Sequence, residues 1–249
     1  MSDTSPASQL YAKLAEPFPA EEMFDLIPNV VFFVKNRAGC YVSVNQTLVE
    51  RSGRKSKDEL IGCSPSEILG SHLGKGYEEQ DQKVLQSGQH LVDELELHVY
   101  QNREVGWCLT GKRPLLGKDK EVVGLVGVSR DLKLPDVTSE DFDRISEVVD
   151  YAQERIANPP SLQELADVAG MSIYQLDRRM KKLYDLPTGQ WLLKIRIDHA
   201  SRLLLNSDQP IADIAMDCGY GDQSAFTRQF RRTTGQTPST FRKLREPDA

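Results

Sequence analysis

Long apolar runs are absent from these 249 residues. No stretch of about 18 apolar residues occurs, so no segment reads as a membrane-spanning helix, and the polar opening from Met1 to Ala7 has no apolar signal core. Cysteine is scarce. Cys40, Cys63, Cys108 and Cys218 are scattered, with no C-x-x-C pair and no histidine at metal-ligand spacing, so neither a disulfide framework nor a metal site is expected. A soluble, cytoplasmic protein with reduced thiols is the expectation. Also missing are a Ser-His-Asp or Cys-His arrangement, a phosphate-binding loop and paired acids of stated geometry, and an enzyme is not expected.

The net charge of −6 argues against a nucleic-acid binder until its distribution is considered. From Ser172 to Arg245 there are 13 Lys and Arg against 7 Asp, while the rest of the chain carries 18 against 30 acidic residues. Basic charge is therefore gathered in the C-terminal part. The length allows two domains of ordinary size, each with its own core.

The basic part has a clear local grammar. Pro210 opens a short helix whose inward stripe is Ile211, Ile214 and Ala215. Cys218, Gly219 and Tyr220 make a turn, and Asp222 caps a second helix. In that helix Ala225, Phe226 and Phe230 face inward, while Gln223, Ser224, Thr227, Arg228 and Arg231 face outward. Gly235 stops it, and Thr237-Pro238 reopens a last helix through Phe241 and Leu244. About fifty residues upstream the same unit occurs. Ser161-x-x-Glu164 and Ser172-x-x-Gln175 are capping boxes, Gly170-Met171 is the turn, and Ile173, Leu176, Met180 and Leu183 point inward. Between the units, Trp191 to Leu205 has no breaker and reads as one helix of roughly 22 Å.

The run Ile211-Ala-Asp-Ile-Ala215, Gly219-Tyr220, Ser224-Ala-Phe-Thr-Arg-Gln-Phe-Arg231, Gly235 and Thr237-Pro238, with its upstream duplicate, resembles the DNA-binding region of AraC/XylS-type transcription regulators. The resemblance implies double-stranded DNA as a partner, two recognition helices in successive major-groove segments about 34 Å apart, and RNA polymerase as a further partner of an activator. A repressor would use the same DNA contacts. It assigns base reading to Tyr174, Asp177 and Arg178 in the first unit and to Gln223, Ser224, Thr227 and Arg228 in the second. Arg178 and Arg228 suit guanine and Gln223 suits adenine. Asp177 departs from what a phosphate-facing helix needs, and either accepts from cytosine or caps a local arginine. Lys181, Lys182, Arg231 and Arg232 are expected to position phosphates.

Upstream, Val30 to Val34 and Tyr41 to Val44 read as a hairpin, followed by short helices, the last from Tyr77 to Leu85. Strands at Leu91–Val99, Gly106–Pro114 and Val122–Ser129 follow. This order, with Asp25-Leu-Ile-Pro28, Phe32-Phe-Val-Lys35, Glu59-Leu-Ile-Gly62 and Val123 to Asp131, resembles a PAS domain. The resemblance implies a homodimer through this region, a small-molecule ligand, or both. Phe32, Phe33, Tyr41 and Trp107 are candidates for a ligand pocket, although an ordinary core would use the same residues. No cofactor is identified. The Asn-Cys-Arg-Phe-Leu-Gln run of flavin-binding PAS domains is replaced here by Cys63-Ser-Pro-Ser66, and His72, His90 and His98 are haem-ligand candidates by type alone, so flavin and haem are not expected. A PAS ligand-binding or protein-binding module with weak DNA binding is the alternative from another class.

The expected fold is thus an α+β PAS domain, a five-stranded antiparallel sheet with short helices, followed by an all-α domain of two helix-turn-helix units joined by a long helix. Expected boundaries are residues 1–20 for an arm or dimerisation helix, 21–132 for the PAS domain, 133–138 for the linker and 139–249 for the DNA-binding domain.

Overall fold

The computed structural model describes Leu10, Lys13 and residues 20–99, 105–132 and 142–245. Apart from Leu10, Lys13 and Ala20, the expected N-terminal arm at 1–20 lies outside the described residues, as does the linker at 133–138.

After a short helix α1 (Ala20–Asp25), strands β1 (Val30–Asn36) and β2 (Tyr41–Val44) form a hairpin. Asn36 shapes its turn, its side-chain oxygen accepting from Ala38 N at 3.0 Å and Cys40 N at 3.1 Å. Asn45, fully buried, then links the hairpin to helix α2 (Gln46–Arg51). Its oxygen accepts from Phe32 N at 2.9 Å and caps α2 through Leu48 N, while its amide donates to Val30 O at 2.7 Å.

Helix α3 (Pro65–Ser87) starts at a Ser64/Glu67 capping box and bends at Gly70, well before the expected start at Tyr77. Strands β3 (Leu91–Val99), β4 (Val105–Leu116) and β5 (Val122–Asp131) complete an antiparallel sheet of order β2-β1-β5-β4-β3.

One face of this sheet carries Val31, Phe33, Lys35, Thr110, Lys112 and Ser129 beneath α2 and α3. The opposite face is buried too, against the helical part of the chain. Leu95 and Leu109 enter an apolar cluster with Ile145, Leu165, Leu176, Met180 and Trp191. Leu97 enters another with Ile197, Leu204, Phe226, Phe230 and Phe241. A third cluster, around Phe33, Leu60 and Leu125, is built from the sheet, α2, α3 and the segment between these two helices alone, while Leu95, Leu97 and Leu109 join clusters made chiefly of the C-terminal helices.

Among the described residues seven α-helices follow: α4 (Phe142–Gln153), α5 (Leu162–Val168), α6 (Ile173–Tyr184), α7 (Thr188–Asn206), α8 (Ile211–Asp217), α9 (Gln223–Thr234) and α10 (Pro238–Arg242). Both upstream capping boxes form, at Ser161/Glu164 and Ser172/Gln175. Asp222 caps α9 by accepting from Ala225 N at 2.7 Å, and Thr237 caps α10. The 19 residues of α7 make a rod of about 28 Å, longer than the expected 191–205 segment. It buries Trp191, Ile197, Ala200 and Leu204 between the two units. Gly219, at φ 73°, turns α8 into α9, and a Cβ there would lie 2.5 Å from Pro159 Cδ and 2.7 Å from Ile156 O.

Candidate nucleic-acid interface

Each helix-turn-helix unit presents its second helix with one apolar face inward. In α6, Leu176, Met180 and Leu183 are buried, and Tyr174, Arg178, Lys181 and Lys182 are exposed. Tyr174 stands out, 76% exposed for so large a ring. In α9, Phe226, Phe230, Thr233 and Thr234 are buried while Gln223, Ser224, Arg228, Arg231 and Arg232 are exposed and Thr227 is half-buried. Amide, hydroxyl and guanidinium groups therefore stand near a capped helix N-terminus, the chemistry that bonds base edges and phosphates.

Asp177 has a different partner from those the sequence offered. Its Oδ1 accepts from Thr188 N at 2.9 Å, where it satisfies an orphan N–H in the first turn of α7. The carboxylate that looked out of place on a DNA-facing helix thus fastens that helix to the connecting rod. Arg196, not singled out in the sequence, does similar work in the second unit. It donates to Cys218 O at 2.7 Å and Gly219 O at 2.9 Å, and its guanidinium lies 4.0 Å from the centre of the Tyr220 ring. It thereby braces the turn that sets the α8–α9 angle. Burial pushes the adjacent Cys218 thiol up to about 12, so it remains a protonated core group.

The end of α9 meets the PAS region. Arg231 pairs with Glu79 of α3, and Arg232 pairs bidentately with Glu94 of β3 at 2.6 and 2.9 Å. The backbones come close here, since a Cβ on Gly76 would fall 2.7 Å from Gly235 Cα. Arg228 lines the same cleft, together with Tyr77, Gln80 and Lys83. Two of the expected phosphate-positioning arginines are therefore held by acidic side chains of the PAS region.

A family model of a helix-turn-helix domain matches residues 165–244, and a model of the PAS fold matches 24–134. Regulatory protein SoxS of Salmonella typhimurium is 33% identical over 98 residues, which make up 39% of this chain and 92% of SoxS. The chain belongs to the AraC family of transcription regulators. The transcriptional activator RhaS of Enterobacter sp. (strain 638) is 26% identical over 166 residues, 67% of this chain and 57% of RhaS. The chain thus spans little more than half the length of that relative. A solved AraC-type regulator structure from Chromobacterium violaceum is 25% identical, covers 43% of this chain and 96% of its own, and has a TM-score of 0.40. Among the described residues no helix is long and apolar enough to cross a membrane.

In this AraC-family chain the four aromatic pocket candidates divide between the two sides of the sheet. Phe33 and Tyr41 line a cavity of about 60 Å³ under α3, together with Val31, Leu48, Lys35 and Lys112. Phe32 and Trp107 lie on the other side. Phe32 stacks on Phe24 at 4.4 Å, and Trp107 faces α7, its Nε1 donating to Asp198 at 2.7 Å. The cavity is more polar than the sequence pattern indicates. Lys35 and Lys112, both buried, each reach an oxygen of buried Asp81 at 2.5 Å. Burial drives the Lys35 ammonium below its ordinary value, with Asp81 working against it, and burial likewise opposes a charged Asp81, which Lys112 and Lys35 nevertheless hold below 3.8. Lys35 Nζ also sits 4.4 Å from the centre of the Tyr41 ring.

Proposed function

We propose that the chain is a sequence-specific, double-stranded DNA-binding transcription regulator, with α6 and α9 as its two recognition helices. The observation that carries this is the pairing of two N-capped helices with exposed polar and basic faces on either end of one rigid rod, α7. Tyr174 and Arg178 read bases in one groove segment, and Gln223, Ser224, Thr227 and Arg228 in the next. Lys181, Lys182, Arg231 and Arg232 hold phosphates. Asp177, being engaged with Thr188, acts on α6 placement and not on bases.

Activation through contact with RNA polymerase is the mode we infer, supported by relatives such as RhaS that are named as activators. The PAS region serves as a sensor or as the homodimer contact; the cavity of about 60 Å³ around Phe33 and Tyr41 holds little more than water, so a small-molecule ligand would have to enlarge it. Binding of a labelled operator duplex, followed across a salt series, tests the reading. The electrostatic contacts predict affinity falling steeply and log-linearly with salt. Affinity flat across a severalfold rise in salt would overturn it. Sedimentation of the full chain tests the dimer, which a monomer at all accessible concentrations would contradict.

A further inference from the structure

Strand pairing on the cavity side of the PAS sheet gathers three side chains of metal-ligating type at one point. Glu96 and His98 are two residues apart on β3 and so project from the same side, and Cys108 lies directly across from Glu96 on β4. A carboxylate oxygen, an imidazole nitrogen and the sulfur all lie within 4.8 Å of one another. His98 Nε2 is 3.1 Å from Glu96 Oε2. With zinc–ligand bonds of about 2.0–2.3 Å, tetrahedral ligand atoms stand roughly 3.3–3.8 Å apart, which small side-chain rotations reach from here.

The surroundings are those of a built site. Gln80 Nε2 donates to Glu96 Oε1 at 2.7 Å, and the Thr110 hydroxyl donates to Oε2. Thr110 is itself fixed by Ser129 at 2.8 Å, and the Tyr77 ring packs edge-on against His98 with centroids 5.2 Å apart. Outer partners of this kind orient ligands. Cys108 is fully buried, its sulfur 3.8 Å from Glu96 O and 3.8 Å from Thr110 Oγ1 and within hydrogen-bonding reach of the His98 ring. Charge fits as well. Lys35 and Lys112 share Asp81 in the same cavity, so the place suits an ion whose charge its own ligands cancel. A Glu96 carboxylate and a Cys108 thiolate supply the two negative charges that a divalent ion requires.

We propose that Glu96, His98 and Cys108 form a three-ligand site for a divalent ion of the zinc type, with the fourth position open to the PAS cavity. Mixed nitrogen, oxygen and sulfur donors favour zinc over magnesium or calcium. An open fourth position lets water or a small donor molecule in the cavity complete the coordination. The site belongs to the sensor region, and its existence does not depend on the DNA-binding reading.

Cobalt(II) titrated into the metal-free full-length chain is the direct probe. One equivalent is expected to give tetrahedral d–d bands and a sulfur-to-cobalt charge-transfer band, both abolished by stoichiometric zinc. Cys108→Ser should remove the charge-transfer band and weaken zinc at least tenfold, whereas a Cys40→Ser, Cys63→Ser, Cys218→Ser triple variant should keep both. Absence of the bands, their persistence in Cys108→Ser, or their loss in the triple variant would each overturn the proposal. Gln80→Ala guards against misfolding of the cysteine variant. It removes the outer hydrogen bond to Glu96, leaves all three ligands in place, and should weaken zinc on the order of tenfold, and unchanged zinc affinity would count against the site. DNA binding is measured separately, so failure here leaves the regulator reading standing.

Discussion

Arg232 on α9 holds Glu94 on β3 with both arms of its guanidinium, Nε 2.6 Å from Oε1 and Nη2 2.9 Å from Oε2, across 138 residues of chain. The Glu94 carboxylate raises the pKa of an already strongly basic group. A carboxylate and a phosphate suit the same fork, so if α9 holds phosphates as proposed, Glu94 occupies the Arg232 fork that a phosphate would take, and Glu79 does the same at Arg231. On the proposed reading of α9 as a recognition helix, the acidic side chains of the PAS region and DNA compete for its end.

Removing the competitor should favour DNA. Glu94→Gln combined with Glu79→Gln is expected to raise operator affinity severalfold at moderate salt, read by fluorescence anisotropy, with the effect shrinking as salt screens the pairs. Unchanged or weaker binding would mean that the two carboxylates do not mask α9.

Base reading and phosphate holding should separate by mutation. Arg228→Ala is expected to cost about 1–3 kcal/mol and to relax preference at one base pair, while Lys181→Ala weakens all sequences about equally. Competition binding against single-base operator variants reads the difference. Equal, sequence-independent losses in both would contradict the assignment.

Asp177 offers the reverse case, a residue on the proposed recognition helix α6 whose carboxylate is engaged by the backbone of α7. Asp177→Ala removes the acceptor for Thr188 N and should lower stability by about 1 kcal/mol, as loss of a helix cap does, with operator preference unchanged. Thermal denaturation and a selected-site comparison check the two halves. A changed base preference would return Asp177 to the reading surface.

How much of this was legible in the sequence depends on separation along the chain. Capping boxes at Ser161 and Ser172, the cap at Asp222 and the turn at Gly219 act within three or four residues, so their letters alone announce them. The connecting helix was visible as an unbroken stretch. Helix α3 was read short because Gly70, Gly74 and Gly76 interrupt its apolar rhythm. Phe32 and Phe33 could not be assigned to a side, since β1 is buried on both faces and its run Val-Val-Phe-Phe-Val shows no alternation. Nothing local distinguishes Glu79 and Glu94 from other surface acids. Their partners lie 152 and 138 residues away. The grouping of Glu96, His98 and Cys108 likewise exists only through the β3–β4 register.

The buried lysines give a pH test. Asp81 has a folded pKa below its ordinary 3.8, because Lys112 and Lys35 outweigh the burial that would raise it. Its contribution to stability is therefore fully present above that value and is lost as pH falls through the lower folded pKa. Asp81→Asn should cost on the order of 3–5 kcal/mol at pH 7, as breaking a buried pair does, and the difference from the natural chain should narrow as the pH is taken well below 3.8. Urea unfolding at both pH values measures it, and a constant difference would contradict the ion pair as its source.

Selection of bound sequences from a random duplex pool, using the full-length chain, bears most directly on the claim that α6 and α9 read DNA together from the ends of α7. The account predicts enrichment of a motif with two specified segments centred about one helical turn, roughly 10–10.5 base pairs, apart, and loss of information in one segment alone when Arg228 is replaced by Ala. A pool with no enrichment, or a single contiguous motif unaffected by Arg228→Ala, would contradict it.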